Sequence, residues 1–502
     1  MNLLIDPWIP VRADGGMGSF RFLTYRELLC EPGNWQVSLP RDDLELACVQ
    51  LLVCMTQVMF LPESDQVLRA RQTELVAPEP FAAGVAPYRD WFDLDHPMYP
   101  FMQSREVKAA EVTPIQKLLI GLPEGNNHAF FNEVGEVRVL SAPVVAIALF
   151  NQSSNSPSFG GGFKGSLRGG APITTLVNGN DLRETVWRNV LTRPRIQKRQ
   201  ITVFGAGEDQ PTWVKPIKEK ETIHWNEIGL LRGLFWQPAR VELVRADTPA
   251  SCDVLGGEPV PVYVGFRKEK FNFTVEGLWP HPHGAMLLST KKGLFEQRFA
   301  SFTTTAPAWT HLSEFVVPSP LVDDSKAGSV PAEPVTQASD VFHGESLHLL
   351  VGGYRTKQAS VIERRHELMS LAQGWSNEKG RMQQLVELGK EAKSALRGKL
   401  YFAVQGNKDK GLKGIGAAIH DTAEKLFYAR TESLIHETFS NALTFREWKS
   451  AKATFTRQLA GHCRAIFEEL TDPYAMKPEL IPIIAWARRS LNADLRKLAE
   501  GT

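Results

Sequence analysis

Apolar and polar positions divide this chain into two parts with different periods. Up to about residue 359 the apolar runs are short and punctuated by Gly and Pro, whereas beyond it they recur every three or four residues over long stretches. In the first part, Leu3–Val11 reads as a strand. Ser38, Pro40 and Asp42 are start signals for a helix running to about Phe60. Pro78–Pro100, broken by prolines and aromatics, reads as loop, and the apolar, partly β-branched run Val137–Phe150 as a strand. A glycine-rich loop covers Ser156–Gly170. Between about Val241 and Thr305, apolar runs separated by Gly and Pro predict antiparallel strands. Two of them, Ala285–Thr290 and Leu294–Phe302, flank a hairpin tip at Lys291-Lys292-Gly293. Residues 323–339, rich in Ser, Ala, Pro and acids, read as a surface loop.

The second part predicts four helices, at about 360–404, 414–440, 444–471 and 478–499, the first interrupted near Gly374. Similar lengths and short links point to an antiparallel bundle. The expected class is therefore α+β: a large mixed N-terminal domain with antiparallel strands (1–359) and a C-terminal four-helix bundle (360–502).

Charge adds a contrast that the average hides. Lys and Arg number 57 against 56 Asp and Glu, which excludes a uniformly basic chain, so any basic surface is local. From Ser360 to Thr502, 23 Lys and Arg face 17 Asp and Glu, a net +6, and the remainder carries −5. Five cysteines with no CxxC pair suit free thiols in a reducing cytoplasm. The start, MNLLIDPWIP, lacks the charged and apolar regions of a signal peptide. The most apolar window, Leu44–Leu61, contains Glu45, Gln50 and Gln57 and reads as a buried helix rather than a membrane span.

No strong catalytic constellation appears. The stretch from Ser158 to Gly170, SFGGGFKGSLRGG, can bring backbone amides close to a ligand, with Lys164 and Arg168 adding charge nearby. It lacks both GxxxxGK[ST] and GxGxxG, so it suits a nucleic-acid contact or a plain structural loop better than a nucleotide site. Basic clusters occur at Arg193, Arg195, Lys198 and Arg199, at Lys215, Lys218 and Lys220, and at Lys268 and Lys270. Each suits phosphate contact or a solvated face. His281 and His283 share a face in an extended segment, but no Cys or carboxylate cluster stands close by in sequence. His420-Asp421 resembles the core dipeptide of metal-dependent HD phosphohydrolases, without its further ligands. An HD-type nuclease or phosphohydrolase is the alternative reading. Tyr354-Arg355-Thr356-Lys357-Gln358-Ala359-Ser360 reads locally as an interdomain turn.

Eight segments in order carry a resemblance: MNLLIDPWIPVR, SLPRDDLELA, AIALFNQ, FGGGFKGSLRGG, QPTWVKPIK, GLFWQPARVEL, KEKFNFTVEGLWPHPH and GGYRTKQASVIERRH. Together they resemble the CasA family, the large subunit of the type I-E CRISPR Cascade complex. The later helices resemble it in layout alone. The resemblance implies a non-catalytic, cytoplasmic subunit without cofactor, partnered by guide RNA, target double-stranded DNA, the other Cascade subunits and a separate helicase–nuclease. It implies recognition of the protospacer-adjacent motif as duplex through the minor groove, followed by strand separation and R-loop formation.

Residue by residue, the resemblance puts the motif-reading glycine loop on Ser158, Phe159, Gly160 and Gly161, with Ser158 standing where a relative has Gly. The lysine finger falls on Lys270. The glutamine wedge falls on Gln358, preceded by Lys357 where Asn is common. The RNA-handle and anchoring loop falls at Asn127–Asn132, with Asn127, Phe130 and Asn132 as its contacts. Lys291 and Lys292 match a basic hairpin near the displaced strand, and Lys393, Arg397 and Lys399 on the basic bundle are further expected contacts to that strand. Some relatives carry a Cys cluster before the KEKF segment. Here only Cys252 remains, so no zinc is expected.

Overall fold

The start signals before Asp42 open a helix over Asp42–Met59 (α1), nearly all of whose residues are buried. A helix apolar on every side belongs at the centre of a large core. The computed structural model describes residues 1–122, 135–205, 208–291, 293–321, 328–357 and 360–500. The chain divides into two units. One comprises Met1–Thr304, Pro318–Phe342 and Leu349–Leu368, and the other Thr305–Val317, His343–His348 and Met369–Thr502. No described helix is long and apolar enough to cross a membrane.

In the first unit, β1 (Ile9–Ala13) lies antiparallel between β2 (Phe20–Leu23) and β3 (Trp35–Val37). Ala142–Ser154 forms helix α2, packed against α1, where the sequence pattern suggested a strand. A short apolar run enclosed on all sides carries no period to separate the two forms, and Pro143 is tolerated in a first helical turn. Strand β4 (Thr174–Asn178) follows the glycine-rich loop. Strands β5 (Arg240–Arg245) and β6 (Val262–Glu269) pair antiparallel, with Glu269 opposite Arg240. The predicted hairpin forms from β7 (Met286–Lys291) and β8 (Leu294–Phe299), turning at Gly293 with φ +77°. Strand β9 (Gly328–Val330) pairs with β7.

Two expected loops contain helices. Pro78–Val85 is helical with proline in its first turn, and a helix over Glu333–Val341 takes up the second half of 323–339 and runs past it. The larger correction concerns the start of the predicted bundle. Strands β10 (Leu347–Lys357) and β11 (Ser360–Leu371) are sheet neighbours, with β4 on the other side of β10. The run Glu363-Arg364-Arg365-His366 falls within the first predicted helix, at about 360–404, yet it lies in β11. Its charges pair around the sheet: Glu363 accepts from Arg355 at 2.5 Å and Arg365 at 2.8 Å, and Arg364 meets Asp42 at 2.5 Å.

The second unit is an α-helical bundle: α3 (Lys379–Gln405), α4 (Ile419–Ser440), α5 (Trp448–Ala475) and α6 (Ile481–Glu500). Leu385, Leu396 and Leu400 of α3 are buried, as are Phe427, Ile435, Leu459, Ile466, Ile484 and Leu491 of the other helices. Each contributes about 1.5–3 kcal/mol by leaving water. Trp309 packs so closely on Gly389 that a Cβ there would lie 2.8 Å from the indole.

Candidate functional site

The glycine-rich loop is shaped by backbone that other residues avoid. Gly160, Gly161 and Gly162 have φ of +78°, +54° and +87°, and Ser158 has +105°. Such a serine stores about 1–3 kcal/mol of strain. Hydroxyls hold the turn: Ser158 N–H donates to Ser156 Oγ and Gly160 N–H to Ser158 Oγ, each at 3.2 Å. The Phe159 ring anchors the loop on β6, 5.6 Å from Phe266, with the Lys268 ammonium 5.4 Å from its centroid.

Lys270 follows β6 and is exposed, and its Nζ donates to the Gly161 carbonyl at 3.2 Å. Sequence positions 109 apart thus form one feature. A cation and a side-chain-free backbone stand together at the surface, the combination that suits a narrow, electronegative groove.

Beneath the loop lies a buried polar chain that sequence reasoning missed. Arg168 is 4% exposed and points inward, so it adds no surface charge. It donates to Thr174 Oγ1 at 3.0 Å, Ser154 O at 3.0 Å and Asn155 Oδ1 at 2.6 Å, and burial lowers its pKa to about 9. Asn155 donates to Asn151 Oδ1, and Asn151 donates to Tyr354 Oη at 2.8 Å. Tyr354 donates to Asp43 Oδ2 at 2.8 Å, and Asp43 is gripped by Arg41 at 2.8 and 3.0 Å. Arg41 also donates to Ile120 O at 2.9 Å. Burial, reinforced by the Asp43 carboxylate, holds the Tyr354 phenol well above its ordinary pKa. A signal was available: Asn151 and Asn155 sit one turn apart in the polar run Asn151–Ser156 that directly follows an apolar stretch, and buried amides require partners.

The same residues close an apolar cluster of Ile120, Ala171 and Tyr354, with Val361 packed against it. These positions flank three separately predicted features: the 127–132 loop, the glycine stretch and the turn at Lys357 and Gln358. Lys357 is exposed at the end of β10. Gln358, Asn127, Phe130, Asn132 and Lys292 lie outside the described residues. Lys291 is exposed beside the hairpin turn, opposite Leu294.

Other candidates are engaged locally. Lys393 meets Glu424 at 3.2 Å, Arg397 meets Asp421 and Glu424 at 3.0 Å, and Lys399 meets Asp494 at 2.8 Å. These pairs tie bundle helices together. Arg193, Arg195 and Arg199 likewise pair with Glu63, Glu333 and Asp340. His281 and His283 are buried with ring centroids 5.1 Å apart, and desolvation lowers the His283 pKa to about 3. His420 Nε2 lies 3.5 Å from Asp421 Oδ1, but that carboxylate also faces Arg397. Among the described residues no three His, Cys, Asp or Glu side chains converge on a possible metal position.

Comparison with known proteins agrees with the ordered segments. The family model of CRISPR-associated protein Cse1 matches residues 2–466. The CRISPR-associated protein CasA/Cse1 of Thermus thermophilus is 25% identical over 256 residues, 48% of this chain and 48% of that protein, so the match spans about half of each. The crystal structure of Thermobifida fusca Cse1 superposes with a TM-score of 0.74 at 17% identity, covering 100% of this chain and 98% of that one. A chain of a CRISPR RNA-guided surveillance complex superposes with a TM-score of 0.62 at 17% identity, covering 98% and 99%. Family match and shared fold lead to one conclusion: this chain belongs to the CasA/Cse1 family of CRISPR-associated proteins.

Proposed function

We propose that this protein is the non-catalytic large subunit of a cytoplasmic RNA-guided surveillance complex, and that it reads the protospacer-adjacent motif in duplex DNA through the minor groove. The observation that carries the reading is the Lys270 ammonium resting on the Gly161 carbonyl, so that cation and glycine loop enter a groove as one unit. Ser158, Phe159 and Gly160 shape that loop. The minor groove distinguishes little beyond A·T from G·C, so the readout tolerates several related motifs.

Lys357 and Gln358 then wedge the adjacent base step, unstacking it at a cost of roughly a few kcal/mol. RNA–DNA pairing replaces DNA–DNA pairing in a nearly balanced exchange, so opening the first step governs R-loop initiation. Asn127, Phe130 and Asn132 meet the guide-RNA handle and anchor the subunit among the other Cascade subunits. The surveillance-complex chain that shares this fold supports that assembly. Lys291 and Lys292 steady the displaced strand. At Lys393, Arg397 and Lys399, phosphates compete with the carboxylates already paired there. A separate helicase–nuclease, recruited to the opened target, performs the cleavage.

The test is competition between motif-bearing and motif-lacking duplexes for the assembled complex at fixed salt. Lys270→Ala should reduce the preference for the motif. A variant that weakens both duplexes equally would make Lys270 a phosphate contact only, and a complex without this chain that discriminates equally well would remove the whole reading.

A further inference from the structure

We infer that the bundle end where α3 meets α6 carries a stacking platform for the bases of single-stranded nucleic acid, built from Trp486 and Phe402 with Lys410 as its cation. The inference deepens the displaced-strand role proposed above and rests on that reading for its biological ligand. Bundles normally bury their aromatics between helices, yet Trp486 of α6 is 38% exposed. Its ring lies against Phe402 of α3, with centroids 4.1 Å apart and planes at 33°. Phe402 thus holds the indole from within while leaving part of it to solvent. The preceding residue, Tyr401, is 48% exposed and lies edge-on to His420, adding a second aromatic surface at the same end of α3.

Charge decides which partner this surface fits. Lys410, exposed in the turn after α3, places its ammonium 5.7 Å from the Trp486 centroid. Arg489 is exposed one helical turn beyond Trp486 on α6. An aromatic face with cations beside it matches a base attached to a phosphate, because every base has a π-face and every linkage a negative charge. Lys410 is well placed for an exchange: a base takes the ammonium's position over the indole, and the ammonium moves to the adjoining phosphate. Duplex DNA offers no exposed base face, so the platform selects single strands. Lys393, Arg397 and Lys399, by contrast, already face carboxylates. Ile481 at the start of α6 and Met476 just after α5 are also exposed, which makes a protein contact the competing explanation.

The experiment measures binding of the full chain to a mixed-sequence single strand of about 30 nucleotides by fluorescence anisotropy, across a salt series. Trp486→Ala should lower affinity roughly tenfold with little change in salt slope, and Trp486→Phe should retain most of it. Lys410→Gln should reduce the slope by about 0.7, one phosphate contact on a single strand. Motif discrimination on duplex should be unchanged in all three variants, so failure here is separable from failure of the Lys270 reading. Failure of the parent chain to bind the single strand, or equal affinity for Trp486→Ala and parent, overturns the platform. Loss of co-assembly with the other subunits at undiminished single-strand affinity overturns it in favour of a protein contact. Thermal melting of Trp486→Ala and Lys410→Gln against the parent chain separates lost binding from lost fold.

Discussion

Tyr354 illustrates how one side chain can serve both packing and positioning. Its ring fills the cluster with Ile120 and Ala171, while its hydroxyl joins Asn151 to Asp43. Tyr354→Phe keeps the ring and leaves the amide and the carboxylate each short of a partner. We expect a loss of about 1–3 kcal/mol, read as a lower urea midpoint, since a buried polar group left unpaired costs its desolvation. An unchanged midpoint would show that the network contributes nothing net. At this scale the sequence was legible where residue type and chemistry coincide: Lys270 and the glycine loop stood out through their segments. Arg168 was misread because a guanidinium beside glycines suggests surface charge, and nothing local reveals that Thr174, Ser154 and Asn155 surround it.

Among elements, the β10–β11 pair carries Lys357, one of the two proposed wedge residues. Gly352 and Gly353 allow β10 to lie close to its neighbours: a Cβ at Gly352 would meet the Arg365 carbonyl at 3.1 Å, and one at Gly353 the Pro172 carbonyl at 2.9 Å. The Arg355–Glu363–Arg365 ion pairs connect the two strands. Lys357 ends β10 and so stands on this braced strand pair. As the other proposed wedge residue, Gln358 makes the test: Gln358→Ala should slow R-loop formation on a matched target while leaving guide-RNA binding intact. Equal R-loop rates for variant and parent would dismiss the assignment. This element was not legible as strand, because alternating charges fit a helix face as well as a two-sided strand until partners are known. The α2 run failed for the complementary reason, being buried on all sides.

For the molecule as a whole, acidity is the clearest lever on stability. His281 and His283 are buried beside Arg168 and Arg199, and desolvation with those charges lowers both pKa values, that of His283 to about 3. The unfolded chain takes up these protons near pH 6.5, before the folded chain does, so the unfolded state binds more protons in between. Stability is complete above about pH 6.5 and falls as pH drops toward 3. For His283 alone the loss at pH 5 is about 2 kcal/mol. Urea midpoints at pH 7 and pH 5 check this, and His283→Gln should flatten part of the slope. Identical midpoints would contradict neutral burial.

Periodicity and punctuation were enough to specify α4, α5, α6 and the part of the first late helix from Lys379 onward, the β7–β8 hairpin and α1, since each follows from local spacing and from residues that start or stop an element. Eight ordered segments sufficed for the family. Contacts distant in sequence supplied the rest. Lys270 reaches Gly161 across 109 positions, Tyr354 reaches Asp43 across 311, and β11 displaced the expected helix by pairing with β10. Pairing, burial and the sharing of hydrogen bonds are properties of two segments at once, and no window along a single segment contains them.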